Sequence, residues 1–392
     1  MPVSPSLDGV GSAAFADGVD GAGFAGGVEL VDHHCHGVVR RDLDRQSFEA
    51  LLTEAGAGAG VFDSQIGFAV RRWCSPALDL PPHSSPEAYL DRRAVLGVDE
   101  VTRRLLGSTG TTAYLVDSGF EPEPITSPEE LAGVTGAAGY EIVRLERLAE
   151  EAVLSGATAT TFADDVRRLL WDRTRDAVAV KSIAAYRVGL DLGPDRPSAA
   201  DILAAADRWL AEVDAGDAVR CADEMLIRFL IWEGLDRGLP LQFHVGLGDS
   251  DVDLHRCDPL LLTALLRATE PLGVPVMLLH NYPFHRHAGY LAQVFSHVYV
   301  DVGLATNNVG RGAGRLIAET LELAPFGKFL FSSDAFGLPE LYYLGALLFR
   351  RGLEAFLTDG VDSDDWSAGD AARVARLISH QNARRAYRLE RP

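Results

Sequence analysis

The run Val28-Glu29-Leu30-Val31-Asp32-His33-His34-Cys35-His36 places two histidines one residue apart at the end of a strand-like stretch. Alternate side chains of an extended strand share a face, so His34 and His36 are expected to project together, with Asp32 beside them. Two neutral imidazoles held close suit a divalent metal; the plainer alternative is a polar strand end before Gly37. Further residues able to bind a metal or move a proton recur along the chain. Lys181 ends the run AVAVK, His244 lies in QFHVG, His280 in LLHNYP and Asp334 in FSSD. Singly, each has an ordinary role: a structural histidine, an ion-paired lysine, an aspartate capping a helix. Their shared position, each just after an apolar run, is what argues for one site.

Eight such runs can be read, at roughly 28–33, 111–117, 140–145, 177–182, 239–245, 274–279, 297–302 and 328–333. Near-continuous apolar character suits parallel strands buried on both faces. Helical patterns intervene at Ala199–Val213, Ala222–Arg237, Pro259–Ala268, Gly289–Phe295 and Arg311–Leu323. Ser198 reads as a helix start and Gly238-Leu239-Pro240 as a stop. Repeated strand–helix alternation predicts an α/β fold, a (β/α)8 TIM barrel, whose functional residues gather at the carboxyl ends of the strands.

Residues 37–110 are too long for a simple connection. They carry helical patterns at Gln46–Glu54, Pro86–Leu96 and Asp99–Leu106, and are expected to form a helical insertion, a lid near the barrel mouth. Residues 1–27, rich in Gly and Ala, read as a flexible leader, and 28–390 as the barrel. Ala371–Tyr387 is expected to be a terminal helix or helix pair closing the outside of the barrel.

A formal net charge of −20 argues against nucleic acid or an anionic membrane as partner. No stretch approaches twenty consecutive apolar residues, and the first residues lack a basic, apolar signal segment, so a cytoplasmic protein is expected. The four cysteines are scattered and predict neither a disulfide framework nor a cysteine zinc site. Only two lysines occur, Lys181 and Lys328, which makes Lys181 at a strand end worth attention. The expected partner is a small-molecule substrate; homo-oligomerisation is left open.

The order H-x-H, Lys, His, His, Asp on strands one, four, five, six and eight resembles the amidohydrolase superfamily. Asp32–His36, Lys181–Leu190, His244–Leu254 and Asn382–Tyr387 resemble its "amidohydrolase 2" branch. Within it they are most similar to the amidohydrolase domain of FluG and nodulin-like glutamine-synthetase fusion proteins. The likeness covers most of 28–390 and is weakest over 37–110. It implies that His34, His36 and Asp334 hold one divalent metal, zinc first and manganese second. It also implies that His244 and His280 hold or approach a second, and that a carboxylated Lys181 could bridge the two. In single-metal members the ligands are usually the H-x-H pair, the strand-five histidine and the strand-eight aspartate, with His280 left for the substrate. A free ammonium beside a dication would be repelled, so Lys181 must be neutral, carboxylated or turned away.

The resemblance implies hydrolysis of an amide-type C–N bond, with γ-glutamyl or amino-acid amides as the nearest substrate class. Asp334 would take the proton of the attacking water, while the metal or His280 polarises the scissile carbonyl. Tyr186 and Arg187 could recognise a substrate carboxylate, and Asp249 and Asp253 an amine. Arg144 and Glu146 are expected to pair as an internal buttress, Asp301 to orient a ligand histidine, and His285 and His287 to sit on a mobile loop. The alternatives are a metal-dependent decarboxylase of the same branch and a non-catalytic metal-binding scaffold.

Overall fold

The computed structural model describes residues 23–54, 60–120 and 122–389. Seven strands form one parallel sheet in chain order: β1 (Leu30–Cys35), β2 (Thr111–Asp117), β3 (Ala138–Arg144), β4 (Ala179–Ser182), β5 (Leu241–Val245), β6 (Val276–His280) and β7 (Val298–Val300). Each matches an apolar run within two residues. Their outward side chains pack with the surrounding helices in the largest core cluster, which includes Leu30, Val180, Phe243 and Leu278. Inward residues Val31, Ala113, Leu115, Ile142, Ala179, Met277 and Leu279 make a separate inner cluster.

The eighth run is not a strand, which corrects the expected count. Phe329–Asp334 nevertheless lies between β7 and β1. Leu330 N donates to Val300 O (3.0 Å), His33 N to Phe331 O (3.2 Å) and Asp334 N to His34 O (3.1 Å). The ladder fails to continue for two reasons. Ser333 N is given to the Asp32 carboxylate instead of a neighbouring carbonyl, and Asp334 adopts a left-handed φ of 48°.

A second correction concerns β1. From Asp32 to Cys35 the chain advances three residues while its partner β2 advances two, from Tyr114 to Val116. This bulge inserts one residue and breaks the alternation. Asp32 therefore does not join His34 and His36; its carboxylate takes Ser333 N at 2.9 Å and Ser333 Oγ at 2.5 Å.

Helices between β1 and β2 fall at Arg45–Leu52, Pro86–Leu96 and Val98–Gly107, close to the sequence patterns. Ser198 caps Ala199–Asp214 through a reciprocal box with Asp201. Helices Pro128–Thr135, Leu145–Leu154, Phe162–Arg173, Gly303–Val309 and the long Pro339–Asp362 were not anticipated. Residues 1–22 of the expected leader lie outside the described residues. Ala25, in the same expected segment, is fully buried, and its N–H donates to Glu354 Oε2 at 2.7 Å. The terminal helices are also placed differently: Ala383, Ala386, Tyr387 and Leu389 belong to the inner cluster, so the tail fills the ring from below. All four cysteines are free and buried. Among the described residues no helix is long and apolar enough to cross a membrane.

Candidate metal centre and active-site cavity

The strand ends bring most of the expected residues together. One donor atom each from His34, His36 and Asp334 falls within 4.8 Å of the others. His34 Nε2 is 3.0 Å and His36 Nε2 3.7 Å from Asp334 Oδ1. His280 Nδ1 is 3.4 Å from Asp334 Oδ2. The His244 and His280 rings stand 4.6 Å apart between centroids, and His34 and His280 5.6 Å. Tyr342, on the long helix Pro339–Asp362, donates its hydroxyl to His36 O and fixes the main chain there.

The electrostatics favour neutral imidazoles, the form that binds metals. Burial pushes His34, His244 and His280 well below the ordinary histidine range, and neighbouring Lys181 adds to this. Burial likewise lowers His36 to about 3. Asp334 is raised to about 6, mainly by burial, against the attraction of His36 and Lys181. His244 Nε2, both ring nitrogens of His280, and Asp334 Oδ1 are buried without a hydrogen-bond partner. Unmatched buried donors and acceptors are costly. Here they are of the type that ligates a divalent cation, so the residues fit the group.

Lys181 Nζ lies 2.8 Å from His34 Nε2 and 3.2 Å from Asp117 Oδ2. Burial lowers its pKa, partly offset by Asp117. Asp117 was overlooked in the sequence, although it ends the run TTAYLVD as the other site residues end theirs. Burial alone would raise its carboxyl, but Arg144 and Lys181 more than compensate and hold it well below the usual range. Arg144 Nη2 donates to Asp117 Oδ2 at 2.6 Å. The expected Arg144–Glu146 pair is thus corrected. Glu146 accepts instead from Ser182 Oγ (2.7 Å) and Ile183 N (3.0 Å).

The donors open onto a cavity of about 530 Å³. Phe120, Phe336, Leu51 and Leu341 supply an apolar wall, and Tyr186, Asp249, Arg187 and Arg220 a polar one. The Tyr186 and His244 rings are tilted against each other, 4.5 Å between centroids. Gly248 permits this approach: a Cβ there would meet the Tyr186 hydroxyl at 2.3 Å. Arg187 faces the cavity, but its Nη2 donates to Glu150 Oε1 at 2.9 Å, which meets its charge. Asp253 is exposed at the start of the short helix Leu254–Arg256, outside the cavity lining, so the expected amine contact from it is corrected.

Ala50–Glu54, from the segment between β1 and β2, also line the cavity. Glu54 was missed because nothing in its sequence neighbourhood marks it. Its carboxyl is raised to about 7, by burial first and then by Asp334 and Asp249. His285 and His287 are not on a mobile loop but in the helix His285–Val294, facing Glu319 (2.8 Å) and Asp258 (3.0 Å). Asp301 holds His280 through its main-chain N–H (2.9 Å) and sits beside His33, not a candidate ligand.

No protein-family model matches the chain. The crystal structure of a candidate metal-dependent hydrolase from Lactobacillus casei ATCC 334 has a TM-score of 0.76 and 30% identity, covering 93% of this chain and 96% of that one. Protein FluG of Emericella nidulans is 28% identical over 400 residues, covering 92% of this chain and 46% of FluG, so the chain spans about half the length of this curated relative. The uronate isomerase of Thermotoga maritima has a TM-score of 0.62 at 12% identity, covering 96% of this chain and 97% of that one, a likeness of fold alone. With the strand-end donors in place, the Lactobacillus casei protein and FluG show that the chain belongs to the amidohydrolase superfamily, in the branch that includes FluG.

Proposed function

We propose that this protein uses a divalent metal to hydrolyse an amide-type C–N bond in a small polar substrate that carries an amino group, with γ-glutamyl or amino-acid amides as the first class to test. The observation that carries the reading is the cluster of His34, His36 and Asp334 beside a cavity lined by His36, Asp334, His244 and His280. His34, His36 and Asp334 would hold the more buried ion. His244 and His280 are available to a second ion or to the substrate, and Lys181, if carboxylated, to both ions. Zinc or manganese suits this mix of imidazole and carboxylate. A bound ion would supply Lewis acidity, polarising a carbonyl oxygen and easing deprotonation of water.

The chain's own groups then divide the work. Asp334, beside the two β1 imidazoles, is placed to accept a proton from water and return it to a leaving nitrogen. His280, neutral and 3.4 Å from Asp334 Oδ2, is placed to contact the substrate carbonyl. Tyr186 orients the substrate from the polar wall. Arg187 is already matched by Glu150 and Arg220 faces Asp251 at 3.7 Å, while the charged neighbours that shift Glu54 are both acidic, Asp334 and Asp249. A substrate ammonium would neutralise that acidic wall, which favours an amine over a second carboxylate as the recognised group.

The deciding experiment is a panel of γ-glutamyl and N-acyl amino acids given to protein reconstituted with zinc or manganese. Released amine or ammonia supports the reading. CO₂ release from aromatic or amino-acid carboxylates would replace it with the decarboxylase, and binding without turnover of any of them with a metal-binding scaffold.

A further inference from the structure

Below the donor layer lies a buried polar layer that the proposed chemistry does not use: His33, Gln242, Asp301 and Tyr387. Gln242 Nε2 donates to His33 O at 2.9 Å and to the Tyr387 hydroxyl at 2.7 Å. A main-chain oxygen only accepts, which fixes the orientation of the amide. The Tyr387 oxygen accepts from Gln242 and still has its own proton to give. His33 Nδ1 lies 2.9 Å away and is placed to receive it. His33 would then carry its proton on Nε2, 3.0 Å from Asp301 Oδ2, close enough for attraction though not aligned for a hydrogen bond.

The other oxygen of Asp301 accepts from His280 N (2.9 Å) and Gly303 N (2.8 Å), and its main-chain oxygen accepts from Asn281 Nδ2 (2.9 Å). His280 and Asn281 have φ of 69° and 59°, left-handed values that non-glycine residues hold only when their surroundings enforce them. His33 precedes His34, and Gln242 lies two residues before His244 on β5. One phenol thus touches, directly or through one ring, groups that neighbour three imidazoles of the donor layer.

We propose that Tyr387 is a positioning residue for the donor layer: its hydroxyl sets the tautomer of His33, and the correctly protonated ring steadies Asp301, which holds the left-handed main chain at His280. Only the metal readout below rests on the functional reading given above. Packing alone would be served equally by phenylalanine, and this separates the two accounts.

The first measurement uses the metal-free protein with ¹⁵N-labelled histidine. The resonances lost in His33→Gln identify that ring, and long-range ¹H–¹⁵N correlations report which nitrogen is protonated. The wild-type ring is expected as the Nε2–H tautomer, with Tyr387→Phe shifting it towards the other form. The second measurement uses the cobalt-substituted protein. Tyr387→Phe is expected to change the visible cobalt spectrum and to lose metal to a competing chelator about tenfold more readily, the lower range for outer partners of metal ligands. Arg385→Ala is the control, on the short helix Asn382–Ala386 that ends just before Tyr387; its guanidinium bonds Gly327 O and Asn382 Oδ1 away from this layer, and both readouts should stay as in wild type. An Nδ1–H tautomer in wild type would overturn the proposal, and so would wild-type tautomer and cobalt behaviour in Tyr387→Phe, or equal effects in Arg385→Ala. If Tyr387→Phe does not fold, the wild-type tautomer still decides. If wild type binds no cobalt, the functional reading fails, and the tautomer pair alone judges Tyr387.

Discussion

His36 Nδ1 sits 3.0 Å from the main-chain oxygen of Asp117, the last residue of β2. A carbonyl only accepts, so Nδ1 carries the ring proton and Nε2 keeps its lone pair towards Asp334. The neighbouring strand thus selects the tautomer a metal needs, while the Asp117 side chain serves Lys181 and Arg144.

Loss of both β1 imidazoles should empty the centre. His34→Ala with His36→Ala is expected to reduce bound zinc or manganese, measured by elemental analysis after dialysis, from about one to two equivalents in wild type to near none. Full occupancy in the double variant would remove these residues from the metal site.

Lys181 should matter for metal number as well as charge. If it is carboxylated, protein exchanged with ¹³C-bicarbonate will show a carbamate carbon that Lys181→Ala lacks, and the variant will hold fewer ions than wild type. Short carboxylates should then partly restore what is lost. A two-ion centre unchanged in Lys181→Ala would exclude a bridging role.

Asp334→Asn keeps the volume of the side chain and removes its basicity. With metal content and thermal midpoint checked alongside, turnover of any substrate found should fall by about 10²-fold or more, the lower range for general acid–base catalysis. Near-wild-type turnover in a folded, metal-loaded variant would rule out Asp334 as the proton carrier.

Glu54 and Asp32 both bind protons more tightly in the folded chain, each rising to about 7, with burial the leading cause. The folded state therefore holds more protons than the unfolded one from the ordinary carboxylate range up to about 7. Their contribution is fully present below that range and is lost as pH rises through it. The four imidazoles held below the ordinary histidine range act in the opposite sense up to that range, so the test is the difference between variant and wild type. In the metal-free protein, Glu54→Gln should make the change in urea midpoint from pH 5 to pH 8 more positive than in wild type. An identical change in the two proteins would show that Glu54 is not held protonated.

The strands were legible because both of their faces are buried, which leaves uniform apolar runs. The helix Pro339–Asp362 was not, for a related reason: every residue from Pro339 to Arg350 is buried, so its first turns carry no polar stripe to betray a helical period. Local spacing located His34, His36, His244, His280 and Asp334, since each ends a run or closely follows one. It could not foresee the β1 bulge, which exists only as a mismatch with β2. Nor could it find Glu54, whose place in the cavity depends on how a separate helical segment folds over the strand ends. Asp117 was different, because the strand-end pattern was present and simply not applied to β2.

The meeting of Tyr387 with His33 spans 354 residues of chain. A ribosome working at about 5–20 residues per second would make the two on the order of 20–70 s apart. For all that time the His33 ring lacks the hydroxyl that matches it, and Gln242 lacks it from the moment it is made. The donor layer should therefore be loose in any nascent chain that stops before Tyr387, however complete its strands. Ribosome-bound chains arrested with Tyr387 inside and outside the exit tunnel would test this by their retention of cobalt. Equal retention would mean that the floor is not completed last.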